Sequence, residues 1–210
     1  MKKNLLIFGA GNHARVISEL FKDKFNIIGY MITDKINKNN KLSKKIFLLN
    51  KSNFDKLKKN RKLFSIIAVG DNEIRKKIFL KLRNLKIKNK WISIISKNAI
   101  LAKDVEIGEG TLVMPGCIIN NGTKIKKHCI INTGSIIEHD NYFKNFSSCG
   151  PRVVTGGNVT LGEASYIGIG SVVREKIKIE NNVIIGGNSF VNKNCDKNSL
   201  YYGSPIRLIK

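Results

Sequence analysis

A six-residue repeat runs without interruption through the second half of the chain. Every sixth residue from Ile95 to Val191 forms a series of seventeen positions, and fourteen of them are Ile, Leu or Val. Most repeats carry a small or β-branched residue four positions later, as at Thr111, Cys117 and Ser135. A period of six fits neither an α-helix nor a plain β-strand. It indicates a parallel β-helix, in which each repeat supplies one face of a prism and the large apolar residue points into the core.

The repeat also fixes which residues lie above one another. If three hexads close one turn, residues eighteen apart stack at the usual strand spacing of about 4.8 Å. Gly157 lies eighteen residues after His139, so we expect a glycine directly above the histidine. The alternative, ordinary strands in a sandwich, would need turn signals about every 8–12 residues and would lose the phase of the repeat.

The first half follows a different pattern, in which apolar runs alternate with helical segments. The runs LLIF, NIIGYMI and LFSIIAV read as strands, and the first and third are directly followed by glycine. This alternation predicts a small, Rossmann-like parallel sheet. Residues 35–60 are rich in Lys and Asn and have no clear period, which predicts a loop with some helix. We therefore predict an α/β domain over residues 1–90 and an all-β parallel β-helix with a C-terminal closing segment over residues 91–210.

Both predicted helices have an apolar face, and Asp71 is placed to cap the second one. The predicted inward residues are Val16, Ile17, Leu20 and Phe21 in the first helix and Ile74, Ile78, Phe79, Leu82 and Leu85 in the second.

The formal net charge of +23 raises the question of nucleic acid binding. The lysines are scattered, and no aromatic platform is interleaved with basic residues as a single-strand binder would need. An excess of positive charge also suits small anionic substrates such as phosphates. We therefore expect no nucleic acid partner, although a charge-driven binder stays open as an alternative. No apolar run approaches the roughly 20 residues that span a bilayer, and the apolar stretch near the start is too short for a signal peptide. We expect no membrane span and a cytoplasmic protein.

The four cysteines lack the close pairing of a zinc ribbon or a redox motif, so we expect small buried residues at these positions. Zinc enzymes with this kind of β-helix need three converging histidines. The chain has three histidines in all, and His13 falls in the first domain. We therefore predict no metal site. His128 falls at an outward position of the repeat, where a solvated side chain is expected.

His139 stands between Glu138 and Asp140 in the stretch NTGSIIEHD. A histidine has a pKa near neutral pH, which suits a general base, and a neighbouring carboxylate can hold its tautomer and stabilise its charged form. The simpler interpretation is a solvated surface histidine. The flanking acids and the glycine one coil above favour the base.

Five segments in this order resemble one family of enzymes: GAGNHARVI, IAVGDNEIRKKI, NTGSIIEHD, IGGNSFV and YYGSPIRLIK. The chain is similar, over nearly its whole length, to the left-handed β-helix sugar acyltransferases that include sialic acid O-acetyltransferases and the N-acetyltransferases of UDP-4-amino sugars. The resemblance implies an acetyl-CoA-dependent N-acetyltransferase that acts on a nucleotide-linked amino sugar for surface glycan or glycoprotein biosynthesis. It also implies a homotrimer whose sites lie between neighbouring prisms.

The resemblance assigns roles to residues of the second domain. His139 matches the general base, Asp140 its support, Gly157 a glycine whose amide steadies the oxyanion, and Asn132 an asparagine near the substrate amine. The positions implied to line the acetyl-CoA arm are Gly157, Ile169, Gly187, Gly203 and Pro205. Ser148 stands where the family usually has a histidine near the acetyl group.

The glycine turn near the start of the chain is the candidate for the nucleotide part of the substrate. The pattern Gly9-x-Gly11-x-x-Ala14 follows a strand and opens a helix, where backbone amides can face a phosphate. From the spacing alone, a tight turn with an exposed His13 is an equal alternative. The family resemblance favours a substrate contact, and it implies the substrate-binding set Gly9, Gly11, Asn12, His13, Ala14, Asp34 and Gly70.

Two other functions remain open from the sequence. One is O-acetylation of a sialic-acid-like sugar by the same site. The other belongs to a different class, a non-catalytic binding protein in which the trimeric β-helix is only a scaffold.

Overall fold

The computed structural model describes residues 2–33, 45–58, 62–88 and 90–210. The chain divides into two compact units, Met1–Ile92 and Ser93–Lys210. The predicted boundary at residue 90 lies close to this division. Asp34, one of the predicted substrate-binding residues, lies outside the described residues.

The first unit is a four-stranded parallel sheet with helices, as the alternation of apolar runs predicts. The strand order is β3-β2-β1-β4, so β1 lies between β2 and β4. The elements are β1 Lys3–Phe8, α1 Asn12–Phe21, β2 Phe25–Ile32, β3 Ile46–Leu48, α2 Lys51–Lys58, β4 Leu63–Ile67 and α3 Asn72–Asn84. The carboxyl ends of β1 and β4 lead directly into the turns that precede α1 and α3, so those two turns lie at the same edge of the sheet.

The helices begin as predicted, but their buried faces are narrower. Asp71 caps α3 by accepting a hydrogen bond from the backbone N–H of Ile74 at 2.8 Å. The prediction that Val16, Leu20 and Ile74 point inward is wrong, since each is nearly half exposed. The residues that follow them, Ile17, Phe21 and Arg75, are buried. Successive residues of an α-helix are rotated by about 100° about its axis. The buried stripes are only one residue wide, so the neighbouring apolar residue turns out to the surface.

The second unit is a β-helix of two-residue strands, and the predicted fold class is confirmed. Strands eighteen residues apart pair in parallel, as in Ile131↔Cys149 and Ile137↔Thr155. Three sheets form the three faces of the prism. The eight-stranded sheet holds β5 Ile94–Ile95, β8 Leu112–Val113, β11 Ile130–Ile131, β14 Ser148–Cys149, β17 Tyr166–Ile167, β20 Ile184–Ile185, β22 Leu200–Tyr202 and β23 Arg207–Leu208. The six-stranded sheet holds β6 Ile100–Leu101, β9 Ile118–Ile119, β12 Ile136–Ile137, β15 Val154–Thr155, β18 Val172–Val173 and β21 Phe190–Val191. The five-stranded sheet holds β7 Glu106–Ile107, β10 Lys124–Ile125, β13 Tyr142–Phe143, β16 Thr160–Leu161 and β19 Lys178–Ile179.

The core of the prism follows the hexad. The second residue of almost every strand is buried, including the three departures from Ile, Leu and Val at Phe143, Cys149 and Thr155. The small residues at the corners are also buried, and their hydroxyls bond to the coil above, as Ser135 Oγ does to Gly150 O at 3.1 Å. A hydroxyl at this position therefore satisfies a carbonyl fifteen residues later, which explains why Ser and Thr are frequent there.

The buried cysteines are as predicted. All four lie in the interior of the second unit. Burial raises the pKa of the Cys149 thiol to about 12, and burial, with a smaller contribution from Asp196, raises that of Cys195 to the same value. These thiols fill core space as small apolar side chains.

The prediction of a solvated His128 is wrong. Its side chain is buried and stacks on Phe146 eighteen residues later, with ring centroids 5.1 Å apart and an interplanar angle of 8°. His128 has a positive φ of 57° at its turn, and the register places a second aromatic ring in the same column. Stacking of two rings in one column removes both from solvent, an effect that the position within a single hexad does not reveal.

Candidate active site

His139 and Asp140 form the tip of a turn between the six-stranded and five-stranded sheets. Asp140 has a φ of 57°, a left-handed conformation that Asp adopts more readily than most residues. In this conformation its Oδ2 lies 2.9 Å from Nδ1 of His139. The contact fixes the orientation of the imidazole and leaves its other nitrogen, Nε2, as the one that can exchange a proton with a substrate.

Gly157 lies one coil above this histidine, as the eighteen-residue register predicts. A Cβ at Gly157 would lie 2.5 Å from both Cε1 and Nε2 of His139. The backbone N–H of Asn158 donates to the His139 carbonyl at 3.0 Å and ties the two turns together. Among the described residues, no hydrogen-bond acceptor engages the N–H of Gly157. A free amide donor therefore lies in the coil next to the imidazole.

Two further residues belong to this turn: Glu138, named above only as a flanking acid, and Asn141, which was not predicted as a site residue. Glu138 accepts a hydrogen bond from Asn120 Nδ2 at 2.9 Å, and these residues are eighteen apart. Asn141 is buried and interrupts the series of small corner residues. Its Nδ2 lies 2.6 Å from Glu138 O, 3.2 Å from His139 O and 2.9 Å from Gly156 O. The available signal was its departure from the small-residue rule.

The remaining predicted residues of the second unit lie at another edge of the prism. Asn132 precedes the turn between the eight-stranded and six-stranded sheets, where its Oδ1 accepts from the Thr133 N–H at 2.8 Å. Ile169 and Gly187 belong to later turns of the same edge, and the Asn188 N–H donates to Ile169 O at 2.8 Å. We call this the Asn132 edge, formed by the turns around residues 133, 151, 169 and 187. The His139 edge is formed by the turns around residues 121, 139, 157 and 175.

The closing segment continues the Asn132 edge. The Phe190 N–H donates to Gly203 O at 3.0 Å, and the Gly203 N–H donates to Ser189 Oγ at 3.2 Å. Pro205 follows in the same segment, after which the chain turns back as an antiparallel strand on Tyr201 and Tyr202. The predicted site residues are therefore divided: His139, Asp140 and Gly157 on one edge, and Asn132, Ile169, Gly187, Gly203 and Pro205 on the other. The two edges are separated by a full hexad, a span of up to about 20 Å.

In the first unit, the structure brings most of the predicted substrate residues to the carboxyl edge of the sheet. Gly9 has a φ of +111°, and a Cβ there would lie 2.8 Å from the Val69 side chain and 2.9 Å from Ala68 O. Only glycine fits this crossing between the ends of β1 and β4. Gly11 is the N-cap of α1, which places Asn12, His13 and Ala14 in the first helical turn. Gly70 follows β4 in the neighbouring turn.

Arg75 underlies the turn between β4 and α3 and was not foreseen. It is buried, and its guanidinium donates to Val69 O at 2.9 Å, Gly70 O at 3.1 Å and Asn72 Oδ1 at 2.6 Å. Burial and, to a lesser degree, the positive charge of Arg75 lower the pKa of His13 to about 4. His13 is thus neutral at physiological pH, and it contributes a neutral hydrogen-bonding group to the turn. The burial of Arg75 could not be read from the sequence pattern, because an arginine on the buried face of a helix breaks the usual pattern.

No group of three His, Cys, Asp or Glu side chains in the described part of the chain is placed to hold a metal ion. Within the same residues, no helix combines the length and apolar character needed to cross a bilayer.

Comparison with known proteins agrees with this two-part structure. The family model described as the PglD N-terminal domain matches residues 4–82, and the model described as bacterial transferase hexapeptide (six repeats) matches residues 158–193. These matches fall in the first and second units respectively and support the predicted resemblance to sugar acyltransferases.

Several solved structures share the fold over the full length. PerB from Caulobacter crescentus, in complex with CoA and GDP-perosamine, is 25% identical, with a TM-score of 0.85 over 99% of this chain and 97% of that one. The acetyltransferase domain of PglB from Neisseria gonorrhoeae, in complex with acetyl coenzyme A, is 23% identical, with a TM-score of 0.86 over 100% of both chains. WeeI from Acinetobacter baumannii is 21% identical, with a TM-score of 0.81 over 99% of this chain and 100% of that one. The predicted resemblance and fold are confirmed by these matches.

Proposed function

The chain joins a domain of the PglD N-terminal type to bacterial transferase hexapeptide repeats, and we propose that it is an acetyl-CoA-dependent N-acetyltransferase of a nucleotide-linked amino sugar. The observation that carries the proposal is the His139 turn, in which an imidazole oriented by Asp140 lies against Gly157, whose N–H has no acceptor among the described residues. A base and an oxyanion donor in adjacent coils are the two groups that acyl transfer to an amine requires. PerB, with CoA and a nucleotide-linked amino sugar bound, supports this choice of reactants.

The residues of the His139 edge account for the movement of protons and charge. The amine nitrogen attacks the thioester carbonyl carbon, and a C–N bond forms while the carbonyl electrons move to oxygen. Nε2 of His139 takes the proton that the nitrogen loses, and the Gly157 N–H donates to the negative oxygen. When the C–S bond breaks, the imidazolium returns the proton to the sulfur. The products are the amide and the CoA thiol.

The acyl donor would lie along the Asn132 edge. Gly150, Gly168 and Gly186 follow Asn132 at eighteen-residue steps, so the backbone above this asparagine carries no side chains. Ile169, Gly187, Gly203 and Pro205 flank this glycine column. A narrow groove with exposed backbone groups suits an extended pantetheine arm, which offers amides to hydrogen-bond.

A second copy of the chain is needed to complete this site. In one chain, the base and the proposed donor groove lie on different edges, on either side of the six-stranded sheet. The outward residues of that sheet form an apolar strip, which consists of Ile100, Ile118, Ile136, Val154, Val172 and Phe190. The corresponding residues of the five-stranded sheet are mostly polar or charged, as at Glu106, Lys124 and Lys178.

An apolar strip beside a polar face marks a surface for association. We infer a cyclic trimer in which the His139 edge of one copy faces the Asn132 edge of the next. The first unit would hold the nucleotide through the Gly9–Ala14 turn, and the reaction would take place in the cytoplasm, in a pathway of surface glycan or glycoprotein synthesis.

The decisive assay follows thiol release from acetyl-CoA with a panel of UDP-, dTDP- and GDP-linked 4-amino and 3-amino sugars. We expect release with one sugar, and its loss by at least about 10³-fold in the His139→Ala variant, with CoA affinity unchanged. Unchanged turnover in that variant would refute the role of the base. No release with any amino sugar, in protein that binds CoA, would direct the search to hydroxyl acceptors such as sialic acids. CoA binding without turnover of either acceptor class would favour a scaffold.

A further inference from the structure

Asn141 connects the base to the oxyanion donor through a buried amide. Its Nδ2 contacts three carbonyl oxygens, those of Glu138, His139 and Gly156, at 2.6–3.2 Å. All three partners are acceptors, so the nitrogen and not the oxygen of the side chain must face them. The amide has two protons for three acceptors, and one proton is therefore shared. The Asn141 side chain is buried, which holds these contacts away from water.

The contact with Gly156 acts on the group that would bind the oxyanion. The Gly156 carbonyl and the Gly157 N–H belong to one peptide unit, which is planar and trans, so they point in opposite directions. When Asn141 holds the carbonyl towards the interior, the N–H is directed outward, to the side where His139 lies. A hydrogen bond at a peptide carbonyl also polarises the unit and makes its N–H a stronger donor.

The other two contacts act on the base. The Glu138 and His139 carbonyls are the backbone oxygens on either side of the histidine's Cα, and both accept from the same amide. Their positions set the direction in which the imidazole leaves the backbone. A single side chain therefore fixes the turn that carries the base and the peptide that carries the donor.

At hydroxyl corners such as Thr111 and Ser171, the side chain bonds to the coil above and not to carbonyls of its own turn. Thr111 Oγ1 donates to Lys126 O at 2.8 Å and accepts from the Cys129 N–H at 3.1 Å. Ser171 Oγ likewise donates to Gly186 O at 2.9 Å and accepts from the Ser189 N–H at 3.2 Å. The two neighbours of Asn141 in its own column are Thr123 and Val159. The fold therefore accommodates a hydroxyl or an aliphatic side chain at this position of a coil. The longer amide side chain, that of Asn141, lies in the coil that carries His139.

We propose that Asn141 is a positioning residue for acyl transfer, which aligns the His139 imidazole and the Gly157 N–H in one arrangement. This inference rests on the proposed function. It concerns a residue that touches no substrate and acts only through the backbone of its neighbours.

The test compares Asn141→Val, Asn141→Ser and the control Thr111→Val in the full-length protein. Valine removes all three contacts, and serine can restore only the bond to the coil above. We expect Asn141→Val to lower kcat about 10- to 100-fold, while KM for both substrates and the melting temperature stay close to wild type. Asn141→Ser should be intermediate. Thr111→Val loses both of its hydrogen bonds to the coil above at a different edge of the prism, and it should keep its kcat.

A wild-type kcat in Asn141→Val, or a loss confined to KM, would overturn the proposal. A readout independent of turnover separates it from the proposed function. In protein labelled with ¹⁵N-glycine, the Gly157 amide resonance should shift in Asn141→Val and stay in place in Thr111→Val, whether or not any sugar is acetylated. An unmoved Gly157 resonance would also overturn the proposal. Absence of turnover in wild type, with the Gly157 shift present, would refute the proposed function and leave the coupling of Asn141 to this peptide standing.

Discussion

The imidazole of His139 occupies the space that a side chain at Gly157 would need. A Cβ at Gly157 would lie 2.5 Å from Nε2 of His139, which is much closer than van der Waals contact allows. The φ of Gly157 lies outside the left-handed region, so any residue could adopt its backbone conformation. Space, and not backbone conformation, therefore requires glycine here.

Gly157→Ala should displace the imidazole and lower kcat by about 10²-fold or more, since the base and the donor lose their alignment. The steric origin can be checked by a double-mutant cycle with His139→Ala, measured by thermal unfolding. Alanine at Gly157 should destabilise the wild-type background and have a much smaller effect once the ring is absent. Equal destabilisation in both backgrounds would contradict the steric argument.

Asp140→Asn should lower kcat about 10- to 100-fold without unfolding the turn. Asparagine tolerates the left-handed φ at this position, but it cannot stabilise the imidazolium as a carboxylate does. The matched control is Asp104→Asn, two coils below on the same edge, where the carboxylate only accepts from the Gly122 N–H at 2.9 Å. Steady-state kinetics of both variants should show a loss in the first alone.

Val172→Asp should separate the copies of the chain and abolish turnover, although His139 is intact. Val172 belongs to the apolar strip and is 44% exposed in the single chain. A carboxylate there would have to be desolvated in an interface between copies. Sedimentation velocity should show a trimer for wild type and a monomer for the variant. An active variant that sediments as a monomer would refute a site shared between copies.

The first unit should lose stability on mild acidification because of His13. Its pKa is about 4 in the folded chain against an ordinary 6.5, so the unfolded state binds the proton more readily between these values. Stability is therefore full above about pH 6.5 and falls as the pH drops towards 4. The linkage amounts to about 2 kcal/mol between pH 7.5 and pH 5. Urea unfolding at these two pH values should show this difference in wild type and a smaller one in His13→Gln.

The repeat made most of the second unit predictable, because a hexad without insertions leaves one choice of register. His139 and Gly157 could be placed in contact from their separation alone. His128 could not be placed, since its burial depends on the ring of Phe146 in the same column. In the first unit, the pattern identified the helices but not the one-residue width of their buried stripes, so Val16 and Ile74 were assigned to the wrong side. Arg75 was missed because its partners include the backbone carbonyls of Val69 and Gly70, which leave no trace in a sequence pattern.

The burial of the four cysteines has a practical consequence for all of these measurements. A thiol reacts with disulfide reagents as its thiolate, and Cys149 and Cys195, with pKa values of about 12, are almost entirely protonated near neutral pH. Burial also raises the pKa of the Cys117 thiol, and Cys129 is shielded by its burial in the core. The folded protein should therefore be nearly inert towards a chromogenic disulfide, even at high enzyme concentration. Such a reagent can remain in the cuvette throughout a slow reaction, and the colour that develops will count CoA molecules, so that even the weakest variants can be assayed continuously.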